Sequence, residues 1–169
     1  MTWVTDKWST HQSLLIWAVA NTTGPVLELG TGGYSTPILH LLCGNKRKLV
    51  SVDNNDEYLT NFGCFISENH DIIRVSDWPQ LDLLHKKWDV VFVDHAPAED
   101  REPVLQILSV NDMCKYIVVH DTELGRYYGY DRVFPLFKYS VTCKWQPKWT
   151  TILSMDDPMI ELKALLGEE

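Results

Sequence analysis

Apolar residues are distributed along this chain in two alternating ways. Short, nearly continuous apolar runs occur around 26–29, 48–52, 90–94 and 116–120, for example Val90-Val91-Phe92-Val93. Runs of this kind fit parallel strands buried on both faces. Between them, apolar residues recur at helical spacing. Leu14, Leu15, Trp17, Ala18 and Val19 give one face to a helix over 10–21, capped by Ser9 or Thr10 and stopped by Thr22-Thr23-Gly24-Pro25. Further helices are expected over 37–43, over 56–68 with Leu59, Phe62 and Ile66 as core positions, and over 99–108. A short strand over 72–75 falls between the second and third of these. Strand and helix alternating in this order predict a doubly wound, Rossmann-like α/β sheet with helices on both faces and right-handed crossovers. After 120 the pattern changes: a helix around 131–137 precedes two strand-like runs, 139–145 and 150–155, joined by Gln146-Pro147-Lys148. So short a connection implies an antiparallel hairpin, which brings the sheet to seven mostly parallel strands. A closing helix is expected over 158–166.

Ligands of such sheets sit beyond the carboxyl ends of the strands, so the residues that end each apolar run carry the chemistry. The first run ends in Glu28-Leu29-Gly30-Thr31-Gly32-Gly33-Tyr34-Ser35. Glycines here let the chain turn sharply and let backbone approach a ligand, and Thr36-Pro37 reads as N-cap and first helical residue. Asp53 closes the second run, followed by Asn54, and can accept both hydroxyls of a ribose. A dinucleotide fingerprint shares Gly30-x-Gly32 and the ~20-residue spacing to Asp53. Ser35 stands in place of its third glycine, and Glu28 would crowd a pyrophosphate. A carboxylate at Glu28 instead suits the ammonium of a methionine moiety. The pattern therefore favours S-adenosylmethionine over NAD, with Glu28, Gly30, Thr31, Gly32, Gly33, Ser35, Asp53 and Asn54 as candidate cofactor-binding residues. Asp94, ending strand four, joins them at the same rim.

From this motif onward the chain resembles the class I S-adenosylmethionine-dependent methyltransferases. The resemblance spans roughly residues 25 to 155 and includes Trp88-Asp89-Val90-Val91-Phe92-Val93-Asp94-His95 as fourth strand and Tyr116-Ile117-Val118-Val119-His120-Asp121-Thr122 as fifth. The Asp-His and His-Asp-Thr strand ends are similar to the small-molecule branch that contains catechol O-methyltransferase and sugar and antibiotic-tailoring enzymes. The resemblance implies methyl transfer from S-adenosylmethionine to a small molecule, onto oxygen, with the antiparallel end of the sheet as in that family. It also implies adenine contact by Ser76, Asp77 and Trp78, and a magnesium ion held by Asp94 and Asp121. Two departures stand against the metal: Thr122 replaces an asparagine, and Pro97 replaces a lysine base. His95 and His120 are the alternative, since a rim imidazole can take the acceptor's proton; Asp94, His95 and His120 are the catalytic candidates. A nicotinamide-dependent oxidoreductase and a catalytically silent cofactor-binding module are the competing readings.

Composition narrows the partners. At 169 residues, with 45% hydrophobic and 22% charged positions, the chain reads as one domain over 1–169. It divides into a helical segment over 1–24, a cofactor-binding core over 25–122 and a C-terminal hairpin and helix over 123–169. A net charge of −8 works against nucleic acid, and Lys46-Arg47-Lys48 reads as a solvated turn. No apolar stretch reaches the ~20 residues of a membrane span, and no basic-then-apolar leader is seen, so a cytoplasmic protein is expected. A small-molecule acceptor is the expected partner, and a homodimer is left open. Cys43, Cys64, Cys114 and Cys143 lack metal-ligand spacing and read as reduced packing residues. His11, His40, His70 and His85 read as structural, and Glu99-Asp100-Arg101-Glu102 as the solvated start of a helix. Residues 6–9 are a candidate lid over the cofactor, and 124–130, rich in tyrosine and glycine, a candidate loop over the acceptor.

Overall fold

A computed structural model describes residues 6–111, 113–145 and 147–167. Gln146, expected in the hairpin connection, lies outside the described residues, as do 1–5, 112, 168 and 169, which fall within the domain expected over 1–169. Seven strands form one sheet in the order β3-β2-β1-β4-β5-β7-β6: β1 Val26–Leu29, β2 Leu49–Asp53, β3 His70–Arg74, β4 Trp88–Val93, β5 Cys114–His120, β6 Tyr139–Cys143 and β7 Thr150–Ser154. The first five pair in parallel, and β7 pairs antiparallel with both β5 and β6. Among the described residues, six α-helices complete it: α1 Gln12–Ala20, α2 Thr36–Cys43, α3 Asp56–Phe62, α4 Arg101–Asn111, α5 Tyr130–Val133 and α6 Ile160–Leu166. The doubly wound sheet with its reversed C-terminal pair is the architecture expected from the sequence.

Successive strand residues supply two separate cores, as the period of two requires. Val26, Leu49, Val90, Phe92, Val118 and Ile152 pack with Leu14, Leu15 and Ala18 of α1, Leu39 of α2 and Leu162 of α6. Leu27, Leu29, Val52, Val91, Val93 and Val119 pack on the other face with Val104, Leu105 and Leu108 of α4. Each such fully buried aliphatic side chain contributes about 1.5–3 kcal/mol, so the sheet is a rigid platform for its rim. Strand order reverses between β1 and β4, which places the switch point at Gly30 and Asp94. Among the described residues, no helix is long and apolar enough to cross a membrane.

Several local expectations are corrected. Helix α1 starts at Gln12 with His11 at its N-cap and no side-chain cap bond, because Thr10 is turned instead toward His120. Thr36 likewise does not cap α2; its hydroxyl serves Glu28. Helix α3 ends at Phe62 and gives way to a 3-10 turn, Gly63–Phe65. It buries none of its residues, and Ile66 is exposed, so Leu59, Phe62 and Ile66 are not core. Arg47 is no solvated turn residue: it is buried, donating to the carbonyls of Val19 and Thr22 at the end of α1. The free carbonyls of a helix C-terminus attract such a cation. Cys43, Cys114 and Cys143 are buried, and Cys64 is exposed.

Candidate active site

The turn after β1 is built by one compulsory glycine. Gly30 has φ +95°, and a Cβ there would come within 2.7 Å of the backbone of Asp94 and His95. The ends of β1 and β4 thus touch through bare backbone. Gly32 and Gly33 carry no comparable constraint; a Cβ on Gly33 would meet nothing within 4 Å. Asp53 holds the turn from the second strand: its Oδ2 accepts from the backbone N–H and hydroxyl of Thr31 at 2.7 and 2.8 Å. Its Oδ1 accepts from the Asn55 N–H at 2.9 Å, which fixes the entry to α3.

Glu28 lies beneath this turn and is fully buried. Its carboxylate accepts from the hydroxyl of Thr36 at 3.0 Å and from that of Ser51, while Thr36 accepts from the N–H of Gly32. Burial pushes its pKa up to about 7, against the pull of hydroxyl donors on Ser35, Ser51 and Thr36. Ser51 contacts His70 at 2.8 Å, and His70 contacts His40 at 3.0 Å, so a polar chain runs from Glu28 to the partly exposed His40. His70 is accordingly a buried network residue, not a surface one.

A cavity of about 490 Å³ opens over the turn. Its walls are Gly30, Thr31, Gly32, Gly33, Tyr34 and Ser35 on one side, Asp53, Asn54, Asn55 and Tyr58 on a second, and Asp94, His95, Ala96, Arg101 and Asp121 on a third. Trp8 and His11 close it from the N-terminal segment. Asp6 accepts from the hydroxyl of Tyr34 at 2.7 Å and so ties this segment across the turn. Of the expected cofactor residues, Glu28, Ser76, Asp77 and Trp78 do not line the cavity. Glu28 is sealed below the turn, and Ser76 and Asp77 are exposed elsewhere. Trp78 is buried, stacked on His95 with ring centroids 4.1 Å apart, its indole N–H donating to the Ala96 carbonyl. Tyr58, Asn54 and Asn55 stand at that wall instead.

The ends of β4 and β5 meet in a charged corner. Arg101, buried at the start of α4, donates to Asp94 at 2.9 Å and to the carbonyls of His95 and His120 at 2.8 and 3.1 Å. Its guanidinium also lies 3.8 Å from Asp121. Lys148 reaches Asp121 at 3.0 Å from the hairpin connection. Burial raises the Asp94 pKa, but the hydrogen bond from His120 and the charge of Arg101 outweigh it and hold the carboxyl below its usual range. The solvated role expected for Arg101 is therefore overturned. This corner also tests the expected magnesium site. The guanidinium already supplies positive charge between Asp94 and Asp121, with Lys148 on the far side, so that pair does not fit the ion.

Three histidines surround the corner. His120 is buried, its Nδ1 3.2 Å from Asp94 and its Nε2 2.9 Å from the hydroxyl of Thr10. His11 is 2% exposed and lies edge-on to His120 with ring centroids 4.8 Å apart. Neither of its ring nitrogens has a hydrogen-bond partner; the Tyr34 backbone is near enough to favour the charged form without making a well-formed bond. Burial, then the charge of His120, brings the His11 pKa down to about 4. His95, also without hydrogen-bond partners, is brought down to about 3 by burial and by Arg101. Both imidazoles are neutral at physiological pH. The sequence reading missed His11, Tyr58 and Arg101; the Trp-Ser-Thr-His run before α1 was the available signal for the first.

No family model and no curated protein matches this sequence. Solved structures match its fold. A candidate caffeoyl-CoA O-methyltransferase from Staphylococcus aureus is 14% identical, with a TM-score of 0.65 over 89% of this chain and 85% of that one. The O-methyltransferase TomG from Streptomyces achromogenes, involved in tomaymycin synthesis and solved with S-adenosylmethionine, is 18% identical, with a TM-score of 0.60 over 85% and 78%. The N-terminal domain of EvdMO1, with S-adenosylhomocysteine bound, is 14% identical, with a TM-score of 0.63 over 89% and 81%. The fold of this chain is the Rossmann-like fold of class I methyltransferases.

Proposed function

We propose that this chain is an S-adenosylmethionine-dependent methyltransferase acting on an oxygen of a small molecule. One observation carries the reading: a single cavity at the strand switch point joins the glycine turn and Asp53 to the corner of Asp94 and His11, behind which His120 is packed. The turn and Asp53 suit the amino-acid and ribose parts of the cofactor, and the corner suits the acceptor. In the reaction the sulfonium–methyl bond breaks as the acceptor oxygen–methyl bond forms. The electron pair of the broken bond returns to sulfur, which becomes a neutral thioether, and the acceptor proton leaves into the corner. Holding the two reactants in line supplies the larger part of the acceleration. The ionised Asp94 and the neutral His11 keep proton-accepting groups there.

A cavity of this volume is of the size small-molecule sites have. The net charge of −8 supports an acceptor other than nucleic acid. A nicotinamide oxidoreductase is disfavoured by Ser35 and by the antiparallel β6–β7 pair. The test has two stages. Calorimetry with S-adenosylhomocysteine and with NAD separates the cofactors, and binding of NAD alone overturns the reading. Transfer of labelled methyl to a panel of hydroxylated metabolites then separates an enzyme from a silent binding module, which would bind the cofactor without turnover.

A further inference from the structure

We infer that His11, Asp94 and His120 form a site for a divalent transition-metal ion, with open coordination positions facing the cavity. One ligand atom from each of the three lies within 4.8 Å of the others. His120 Nδ1 and Asp94 Oδ2, at 3.2 Å, already have the separation of neighbouring ligands on an ion bound at about 2.0–2.2 Å. His11, within 4.8 Å of both, would move inward to complete the set.

An independent observation comes from His11 itself. Its ring is 2% exposed, forms part of the cavity wall and has no partner for either nitrogen. Buried polar groups are almost always partnered, so both His11 nitrogens are open to a ligand. The outer contacts are those that orient metal ligands. Thr10 holds His120 Nε2 at 2.9 Å and Asp94 Oδ2 faces its Nδ1 at 3.2 Å, so an ion would take the place of the proton shared between Nδ1 and the carboxylate. Arg101 takes the other Asp94 oxygen at 2.9 Å and turns Oδ2 toward the histidines. The competing arrangement puts a proton on Nδ1, shared with Asp94, and leaves His11 without a partner.

Two imidazoles and one carboxylate form a borderline-soft set, suited to zinc, iron(II) or cobalt(II) and not to magnesium. The set leaves out Asp121, which Lys148 already pairs, and keeps only the Asp94 oxygen that Arg101 does not take. Three protein ligands leave room for an acceptor hydroxyl, whose pKa the ion would lower. This role for the ion rests on the methyltransferase reading; binding of the ion does not.

The test uses the whole chain, stripped by chelator, titrated with Zn2+ by calorimetry and with Co2+ by visible absorption and proton NMR. One ion per chain is expected, with paramagnetically shifted resonances from two imidazoles. His11→Ala and His120→Ala should each weaken Zn2+ binding at least tenfold, and Thr10→Val, which keeps all three ligands, by 10- to 100-fold. Asp121→Asn should leave it within a few-fold. The inference is overturned if the wild-type chain takes up no stoichiometric Zn2+, if the Co2+ form shows no shifted imidazole signals, or if Asp121→Asn abolishes binding while His11→Ala does not. The Co2+ spectra of the wild-type chain decide the matter even where a histidine variant fails to fold. S-adenosylhomocysteine titrated into the metal-free chain tests the methyltransferase reading separately: loss of either binding event leaves the other interpretable.

Discussion

The guanidinium of Arg101 and the carboxylate of Asp94, 2.9 Å apart, join the start of α4 to the end of β4 at the floor of the cavity. The Arg101 side chain is 6% exposed and that of Asp94 25%. The same guanidinium serves two backbone carbonyls and faces Asp121. Removing one partner of a buried pair leaves the other charge uncompensated, at a cost of about 3–5 kcal/mol. Arg101→Ala should lower unfolding stability by that order in urea titrations, and Arg101→Lys by less. A change under 1 kcal/mol for the alanine variant would show that the pair does not brace this corner.

Asp53 is expected to act twice, in the turn and on the ribose. Asp53→Ala should therefore weaken S-adenosylhomocysteine by about 1.5–3 kcal/mol for each charge-assisted bond lost and also lower stability, because Thr31 and Asn55 lose their acceptor. Calorimetry paired with thermal melting reads both. Unchanged affinity in a folded variant would remove Asp53 from the cofactor site.

The glycines of the turn should separate sharply. Gly30→Ala forces a positive φ and a backbone clash at 2.7 Å, so it should cost more than about 3 kcal/mol or prevent folding. Gly33→Ala should change stability by no more than about 0.5 kcal/mol. Equal effects of the two, by chemical denaturation, would contradict the geometry of the β1–β4 contact.

Glu28 should leave a signature in the pH dependence of stability. Its folded pKa, raised to about 7 from 4.5, means that the folded chain binds more protons than the unfolded one between those values. The stabilisation is fully present below about 4.5 and is lost as pH rises through 7, up to roughly 3 kcal/mol by linkage. His70, lowered to about 4 by burial and by His40, works in the opposite direction, its contribution being lost as pH falls from 6.5 toward 4. Glu28→Gln should flatten the decline from pH 5 to 8 while leaving the acid limb in place. Parallel profiles for the variant and the wild type would rule out this assignment.

The sheet was legible because Val90-Val91-Phe92-Val93 and its counterparts satisfy a local rule about burial on two faces. The glycine turn and Asp53 were legible because their spacing encodes one turn and one strand. Arg101 was not: its charge alone points to solvent, and only the packing of α4 against two strand ends shows that it faces the carboxylates that end the strands before and after it. His11 failed for the same reason, since nothing beside it in sequence reveals that Thr10 reaches a histidine 110 positions later. Glu28 was placed at the right strand end, but strand alternation turned it into the interior.

The link between Thr10 and His120 closes a loop that contains most of the chain. Loop closure of that length carries an entropic cost that grows only slowly with size, but it is incurred before the contact returns anything. The cavity wall bearing Trp8 and His11 therefore depends on a contact between segments far apart in the sequence. The turn at Gly30 is held instead by the neighbouring ends of β1, β2 and β4, so a change at the N-terminal segment would open one wall and leave the opposite one standing.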